Sequence, residues 1–243
     1  MKERFISLLM STKRNGIREF IDYLESETDF FIAPASSNYH GNYEKGLLEH
    51  SLKVYDLACK ITPSFENQIK EDSLIIICLL HDLCKINFYQ LTMKSEKRKD
   101  EKGNFLLNEK GKNIWDEKLK YEIVDKMPLG HGEKSVIILQ QFINLSLEEI
   151  FCIRWHMMSY DDSVKGYAGN LALTNSLNLY PIISLIHCAD LLSISNNLKQ
   201  EDESKIIGDI FFMNDKDLQK RYVLNLSKFK ASKLSNGSKG IKR

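Results

Sequence analysis

Apolar residues recur along this chain with the 3.6-residue period of helices that bury one face. A first short helix is expected at Glu3–Met10. A second follows Asn15-Gly16, with Ile17, Phe20, Ile21 and Leu24 on one side. Residues 28–45 lose the period, turn polar and aromatic, and end in Tyr39-His-Gly-Asn-Tyr43, which reads as an ordered loop. From Gly46 to Lys60 the stripe returns through Leu47, Val54, Leu57 and Ala58. The stretch from Leu74 to Leu83 is apolar all round, the mark of a buried helix, with Asp72 or Ser73 placed to cap it.

Residues 92–121 break the helical pattern. They hold the solvated run Lys94–Lys102 and the short segment Phe105-Leu-Leu107, and they predict a small β-hairpin insertion too poor in apolar residues for a core of its own. Helical signals resume at Gly132–Ile143. Ser146-Leu-Glu-Glu149 spells a capping box, in which a hydroxyl and a carboxylate each satisfy a free backbone N–H. Pro181 suits a first helical turn and opens an apolar stretch to Leu198. The expected fold is all-α apart from the hairpin. Residues 1–45 form N-terminal helices and a loop packed on the core, 46–198 a helical bundle with 92–121 inserted, and 199–243 an extension with a basic tail.

Composition narrows the class. Among 243 residues, 43% are hydrophobic and 28% charged, the balance of a globular chain. Thirty-four Lys+Arg against 33 Asp+Glu leave +1, so no overall field points to nucleic acid. Six of those bases and no acid fall in residues 228–243, which leaves 28 bases against 33 acids in the remainder. The longest apolar run, Leu74–Leu80, is far short of the roughly 20 residues that span a bilayer. The apolar patch Phe5–Met10 is too short for a signal peptide. Five cysteines without a C-x-x-C pair, set among apolar residues, read as reduced core thiols of a cytoplasmic protein.

Candidate chemistry lies in the histidines. His50 stands on the core-facing stripe of its helix, His81 closes the all-apolar helix with Asp82 beside it, and His156 ends the apolar segment Ile150–His156. Asp190 sits inside Ile182–Leu192, and His131 stands between two glycines at a helix start. Any one of these could be a satisfied core residue. Two acids and at least three imidazoles aimed into an oily interior are costly together unless they pair off or a metal ion meets them all. Imidazole with carboxylate suits Mn, Fe, Co, Ni or Zn, and a shared carboxylate suits two ions.

The order and surroundings resemble the HD-domain superfamily of metal-dependent phosphohydrolases. The residues that carry the resemblance are Leu47-Leu-Glu-His-Ser51, Leu79-Leu-His-Asp-Leu-Cys-Lys85, Leu129-Gly-His-Gly-Glu133, Arg154-Trp-His-Met157 and His187-Cys-Ala-Asp-Leu191. The aromatic approach at Tyr39–Tyr43 is similar to a bacterial and phage branch near the exoribonuclease group. The resemblance implies that His50, His81, Asp82 and Asp190 hold one metal. It makes Asp82 the bridge to a second metal on His131 and His156. Lys85 resembles the lysine that approaches the substrate phosphate, which makes Asp82 and Lys85 the catalytic pair. His40, Lys134 and Arg154 are candidate contacts to substrate, and His187 a support for Asp190.

The implied reaction is hydrolysis of a phosphomonoester or phosphodiester, of a nucleotide or oligonucleotide, by a metal-bound hydroxide. The same ligand order occurs in HD-fold di-iron oxygenases resembling myo-inositol oxygenase, which is the first alternative. A non-catalytic, metal-containing module that binds nucleic acid or protein through the Lys97-Arg-Lys99 run and the basic tail is the second. P-loop, dinucleotide-binding, serine-hydrolase and H-E-x-x-H motifs are absent from the sequence. No membrane partner is expected, and the oligomeric state is left open.

Overall fold

The computed structural model describes residues 1–64 and 69–195. The basic tail and the extension predicted at 199–243 lie outside the described residues. Eight α-helices and one two-stranded antiparallel sheet are present among the described residues, a mainly helical fold with a hairpin as expected.

Helices α1 (Lys2–Ser11) and α2 (Ile17–Ser26) form where the period predicts them. Phe5 and Leu9 of α1 and Ile17, Phe20, Ile21 and Leu24 of α2 are buried in the same core as the rest of the described chain. Gly16 between them sits at φ 82°, and a Cβ there would meet the Phe142 carbonyl oxygen at 1.9 Å, so only glycine fits. The long central helix α3 (Gly46–Ile61) packs against α4 (Glu71–Leu80) and α8 (Ile182–Ser195). Helix α4 also touches α1 and α6 (Leu147–Trp155), which explains why no side of it is polar.

Two expectations about α4 need correction. Asp72 and Ser73 do not cap it: Lys70 holds the cap position without a side-chain hydrogen bond. Arg14 takes both groups instead, its Nε 3.0 Å from Asp72 Oδ2 and its Nη2 3.3 Å from Ser73 Oγ. Nor does the helix continue to Leu83. It stops at Leu80, His81 is its C-terminal cap, and Asp82 (φ −98°, ψ 21°) leaves the helix before a 3₁₀ turn at Leu83–Lys85. Asp82 is therefore not one step further round a helix from His81.

The insertion is an antiparallel ribbon of β1 (Tyr89–Lys97) and β2 (Trp115–Ile123), with Tyr89 opposite Ile123 and Lys97 opposite Trp115. It is longer at its root than the predicted 92–121, because the aromatic pair Phe88-Tyr89 carries the alternation back toward the core. Helix α5 (His131–Leu139) ends four residues before the predicted Ile143, and Gln140–Ile143 turns away to bring Phe142 against Phe20 and Tyr23. The capping box at Ser146 is complete, with Ser146 Oγ accepting the Glu149 N–H and Glu149 accepting the Ser146 N–H.

Helix α7 (Tyr167–Leu179) is the element the apolar pattern does not mark. Only Leu173, Ser176 and Leu177 of it are buried, and Asn170, Thr174, Asn175 and Asn178 dilute its period. The free thiols are split as well. Cys78, Cys84 and Cys152 are buried, but Cys59 is exposed rather than a core residue. No single helix among the described residues is long and apolar enough to cross a membrane.

Candidate metal centre

Four separate elements deliver side chains to one point in the core. Helix α3 brings His50, the end of α4 brings His81 and Asp82, the end of α6 brings His156, and α8 brings Asp190. The imidazole Nε2 atoms of His50 and His81 are 3.3 Å apart. His50 Nε2 is also 3.3 Å from Asp82 Oδ2 and 3.2 Å from Asp190 Oδ1. Asp82 faces two ways: Oδ2 lies 3.5 Å from His81 Nε2, whereas Oδ1 lies 3.6 Å from His156 Nε2. His50, His81 and Asp82 form one group of ligand atoms close enough to share an ion, and His81, His156 and Asp190 form a second.

The other ring nitrogen of each histidine fixes how it is presented. His81 Nδ1 lies 2.9 Å from the Cys78 carbonyl oxygen and His156 Nδ1 lies 2.8 Å from that of Ile153. A carbonyl can only accept, so both Nδ1 atoms carry a proton and Nε2 is the atom that each ring turns inward. His50 Nδ1 is 3.1 Å from Ser193 Oγ on α8. His156 Nε2 is buried with no hydrogen-bond partner among the described residues, since 3.6 Å to Asp82 is beyond hydrogen-bond reach. Lone pairs that converge on one another with nothing between them are repulsive. A divalent cation satisfies all of them, and three imidazoles with two carboxylates suit Mn, Fe, Co, Ni or Zn.

The electrostatics point the same way. Burial opposes ionisation of Asp82, but the Lys85 ammonium and His81 outweigh it and hold the carboxyl well below its usual range. Burial opposes Asp190 too, and His50, 3.2 Å away, overrides it in the same direction. Burial disfavours the His50 cation, yet Asp190 and Asp82 raise its pKa on balance, and Asp82 does the same for His156. Two ionised carboxylates thus make a field that draws positive charge to the imidazoles. Lys85 Nζ sits 2.6 Å from Asp82 Oδ2 with its side chain largely buried, so it does not run out to solvent.

The remaining expected site residues fall into two sets. His40 comes to the centre: its ring is 5.4 Å from that of His50, and burial, then His50 and Lys85, push its pKa down to about 4. The loop that carries it lies tight on α3, where a Cβ on Gly46 would meet the Gly41 carbonyl oxygen at 2.1 Å. His131 belongs to neither of the two groups of ligand atoms, and its Nδ1 lies 3.2 Å from Cys84 Sγ. Lys134 and Arg154 are engaged elsewhere. Lys134 Nζ is 2.7 Å from Asp125 and 4.8 Å above the Phe88 ring. Arg154 pairs with Glu133 and Asp161 and lies 3.9 Å over Trp155.

His187 Nδ1 lies 2.6 Å from the His156 carbonyl oxygen and so steadies the turn that presents His156. Ser193 and Tyr89 are the residues the sequence did not single out. Tyr89 stands near Lys85 at the root of the ribbon, its hydroxyl 3.5 Å from the Ala35 carbonyl oxygen and its pKa raised by burial to about 12. A serine three residues after Asp190, on the same helix face, is the one signal that could have found Ser193.

Residues 47–160 match the family model described as HD domain. That segment takes in His50, His81, Asp82, His131 and His156 and ends before Asp190. A curated relative, the dihydroneopterin 2',3'-cyclic phosphate phosphodiesterase of Methanocaldococcus jannaschii, is 32% identical over 99 residues, covering 34% of this chain and 40% of the relative. The chain thus spans well under half the length of that relative. No solved structure matches the chain significantly.

Proposed function

Taking residues 47–160 as a member of the HD-domain family, we propose that this chain is a metal-dependent phosphohydrolase. The observation that carries the reading is the orphaned, buried Nε2 of His156, facing a carboxylate that already serves two other imidazoles. His50, His81, Asp82, His156 and Asp190 would hold a divalent transition metal. When bound, such an ion polarises a phosphoryl oxygen and lowers the pKa of water so that it can attack.

The chain's own groups do the rest. Lys85 is held 2.6 Å from Asp82 and projects a fixed ammonium at the edge of the centre, where it meets phosphate oxygens as charge develops on them. His40, kept neutral beside His50 by burial, offers a hydrogen bond to the substrate. Lys134 and Arg154, spent on Asp125, Glu133 and Asp161, leave Lys85 as the cation at the centre among the described residues, which favours a substrate of low charge over a polyphosphate. A phosphodiester fits that condition, and a cyclic phosphodiester of a nucleotide or nucleotide-derived compound is the substrate class we infer, in keeping with the name of the archaeal relative.

In the finer reading His50, His81 and Asp190 would hold one ion and His156 a second, with Asp82 contributing to both. What supports it is the division of that carboxylate, Oδ2 toward His50 and His81 and Oδ1 toward His156. His131 would join the second ion.

Purified protein loaded with Mn, Fe, Co, Ni or Zn in turn should hydrolyse bis(p-nitrophenyl) phosphate and nucleoside 2',3'-cyclic phosphates. Lys85→Gln should keep its metal and lose about 10²–10³-fold in turnover. Elemental analysis of His131→Ala should show one ion fewer per chain than the wild type. Oxygen uptake by iron-loaded protein with no phosphodiester cleavage under any metal would sink the proposal.

A further inference from the structure

The ribbon β1–β2 has two unlike faces. One carries Gln90, Thr92, Lys94 and Glu96 opposite Glu122, Lys120, Lys118 and Asp116. These charges neutralise each other across the strands, as in Lys94–Glu122 at 3.1 Å and the Lys120–Glu96 pair. That face is at home in water. The other pairs Leu91 with Tyr121 and Met93 with Leu119, with Tyr89 opposite Ile123 at the root and, toward the tip, Ser95 opposite Glu117 and Lys97 opposite Trp115. Leu91, Met93, Leu119, Trp115 and Ile123 are each 52–64% exposed, and Phe105 and Leu107 extend the same surface beyond the tip at 53% and 56%.

An apolar sheet face of this size facing water is a liability in a monomer. A lone two-stranded ribbon is also marginal, and its stability comes from something packed on its apolar side. We propose that this face is the contact between two copies of the chain, the ribbons stacking as a two-fold sandwich.

Three features favour a second copy over another occupant. The seven large apolar side chains are each more than half exposed, a patch on the scale of the ~800 Å² per partner of a standard stable interface. The apolar pairs run across both strands, so a two-fold contact with its axis along the ribbon sets Leu91 and Met93 of one copy over Tyr121 and Leu119 of the other, and Ser95 over Glu117. Charge does not call for an oppositely charged partner. Lys97 and Lys99 already lie over the Phe105 ring, each 5.2 Å from its centroid, and most of the face is aliphatic rather than a row of rings on which bases could stack.

Sedimentation equilibrium of the full chain at micromolar concentration tests this, with an expected mass near twice 28.2 kDa. Met93→Lys and Leu119→Lys should each weaken the dimer by about tenfold or more. Both positions are on the surface, so the helical circular dichroism and the metal content should stay as in the wild type. Lys118→Ala on the charged face should leave the dimer as it was. A monomeric wild type overturns the proposal, and so does a dimer that both lysine variants leave intact. Retention of a single-stranded oligonucleotide by a monomer, lost in Leu119→Lys, would overturn it and assign the face to nucleic acid.

Discussion

Helices α4 and α6 run side by side between two buried clusters of charge, one at each end. At their N-terminal ends, Arg14 meets Glu149, Asp72, Ser73 Oγ and the Asn144 carbonyl. Glu149 has no exposed surface, yet one oxygen pairs with Arg14 and the other accepts both Arg14 Nη1 and the Ser146 N–H. At their C-terminal ends sit His81, Asp82 and His156, where the Nε2 of His81 meets that of His50 and the Nε2 of His156 stays unmatched. The chain closes its accounts at the first cluster and leaves a positive charge owing at the second. Helix polarity agrees with that division. The partial negative ends of both helices point at the second cluster, which favours a cation there, while acids crowd both first turns.

The strongest way to break this comparison is to remove the charge at the open cluster. Asp82→Asn keeps the shape but takes away the carboxylate that faces His50, His81 and His156. Bound metal should fall to trace levels, and hydrolysis with it, by about 10³-fold or more. A chelator should then no longer lower the melting temperature, whereas in the wild type stripping a metal present at 100 times its Kd removes about 2.7 kcal/mol. Full metal content in Asp82→Asn would mean that the carboxylate is structural.

The closed cluster should give the opposite result. Arg14→Met leaves Glu149 ionised in the core without its cation, which costs about 3–5 kcal/mol of folding stability by chemical denaturation. Metal content per folded chain and the response to chelator should not change. If Arg14→Met lost its metal as well, the two ends of α4 and α6 would be one coupled unit, and the contrast would fail.

The sequence made much of this legible, and the parts it hid have physical causes. The apolar stripes of α1, α2 and α3 bury the residues they predict, because burial of a face is what sets the 3.6-residue period. Ligands were readable for a related reason: a histidine or aspartate inside an all-apolar run, such as His81-Asp82 or Asp190, has no cheap local explanation. The break of α4 at His81 was hidden, since Leu83 and Cys84 continue the apolar run after the backbone has left the helix. Lys134 and Arg154 looked free because their partners, Asp125, Glu133 and Asp161, are surface-type residues with nothing in the local pattern to tie them. Helix α7 was hidden because its buried face is only one turn wide.

Ser193 shows what sequence spacing leaves out and offers the finest test of the comparison. Its hydroxyl is buried and lies 3.1 Å from His50 Nδ1. Accepting an Nδ1–H there would keep the His50 Nε2 lone pair turned toward Asp82 and Asp190, a task that carbonyls perform for His81 and His156. Supports of this kind are worth about 10–100-fold in metal affinity. Ser193→Ala should therefore weaken metal binding by that factor, measured by competition with a chromophoric chelator, with far less effect on folding than Arg14→Met. Ser193→Thr keeps the hydroxyl and should restore the affinity, which a purely steric role for Ser193 would not predict. Wild-type affinity in Ser193→Ala would show that the two carboxylates alone orient His50, and that the open cluster needs no support from α8 beyond Asp190.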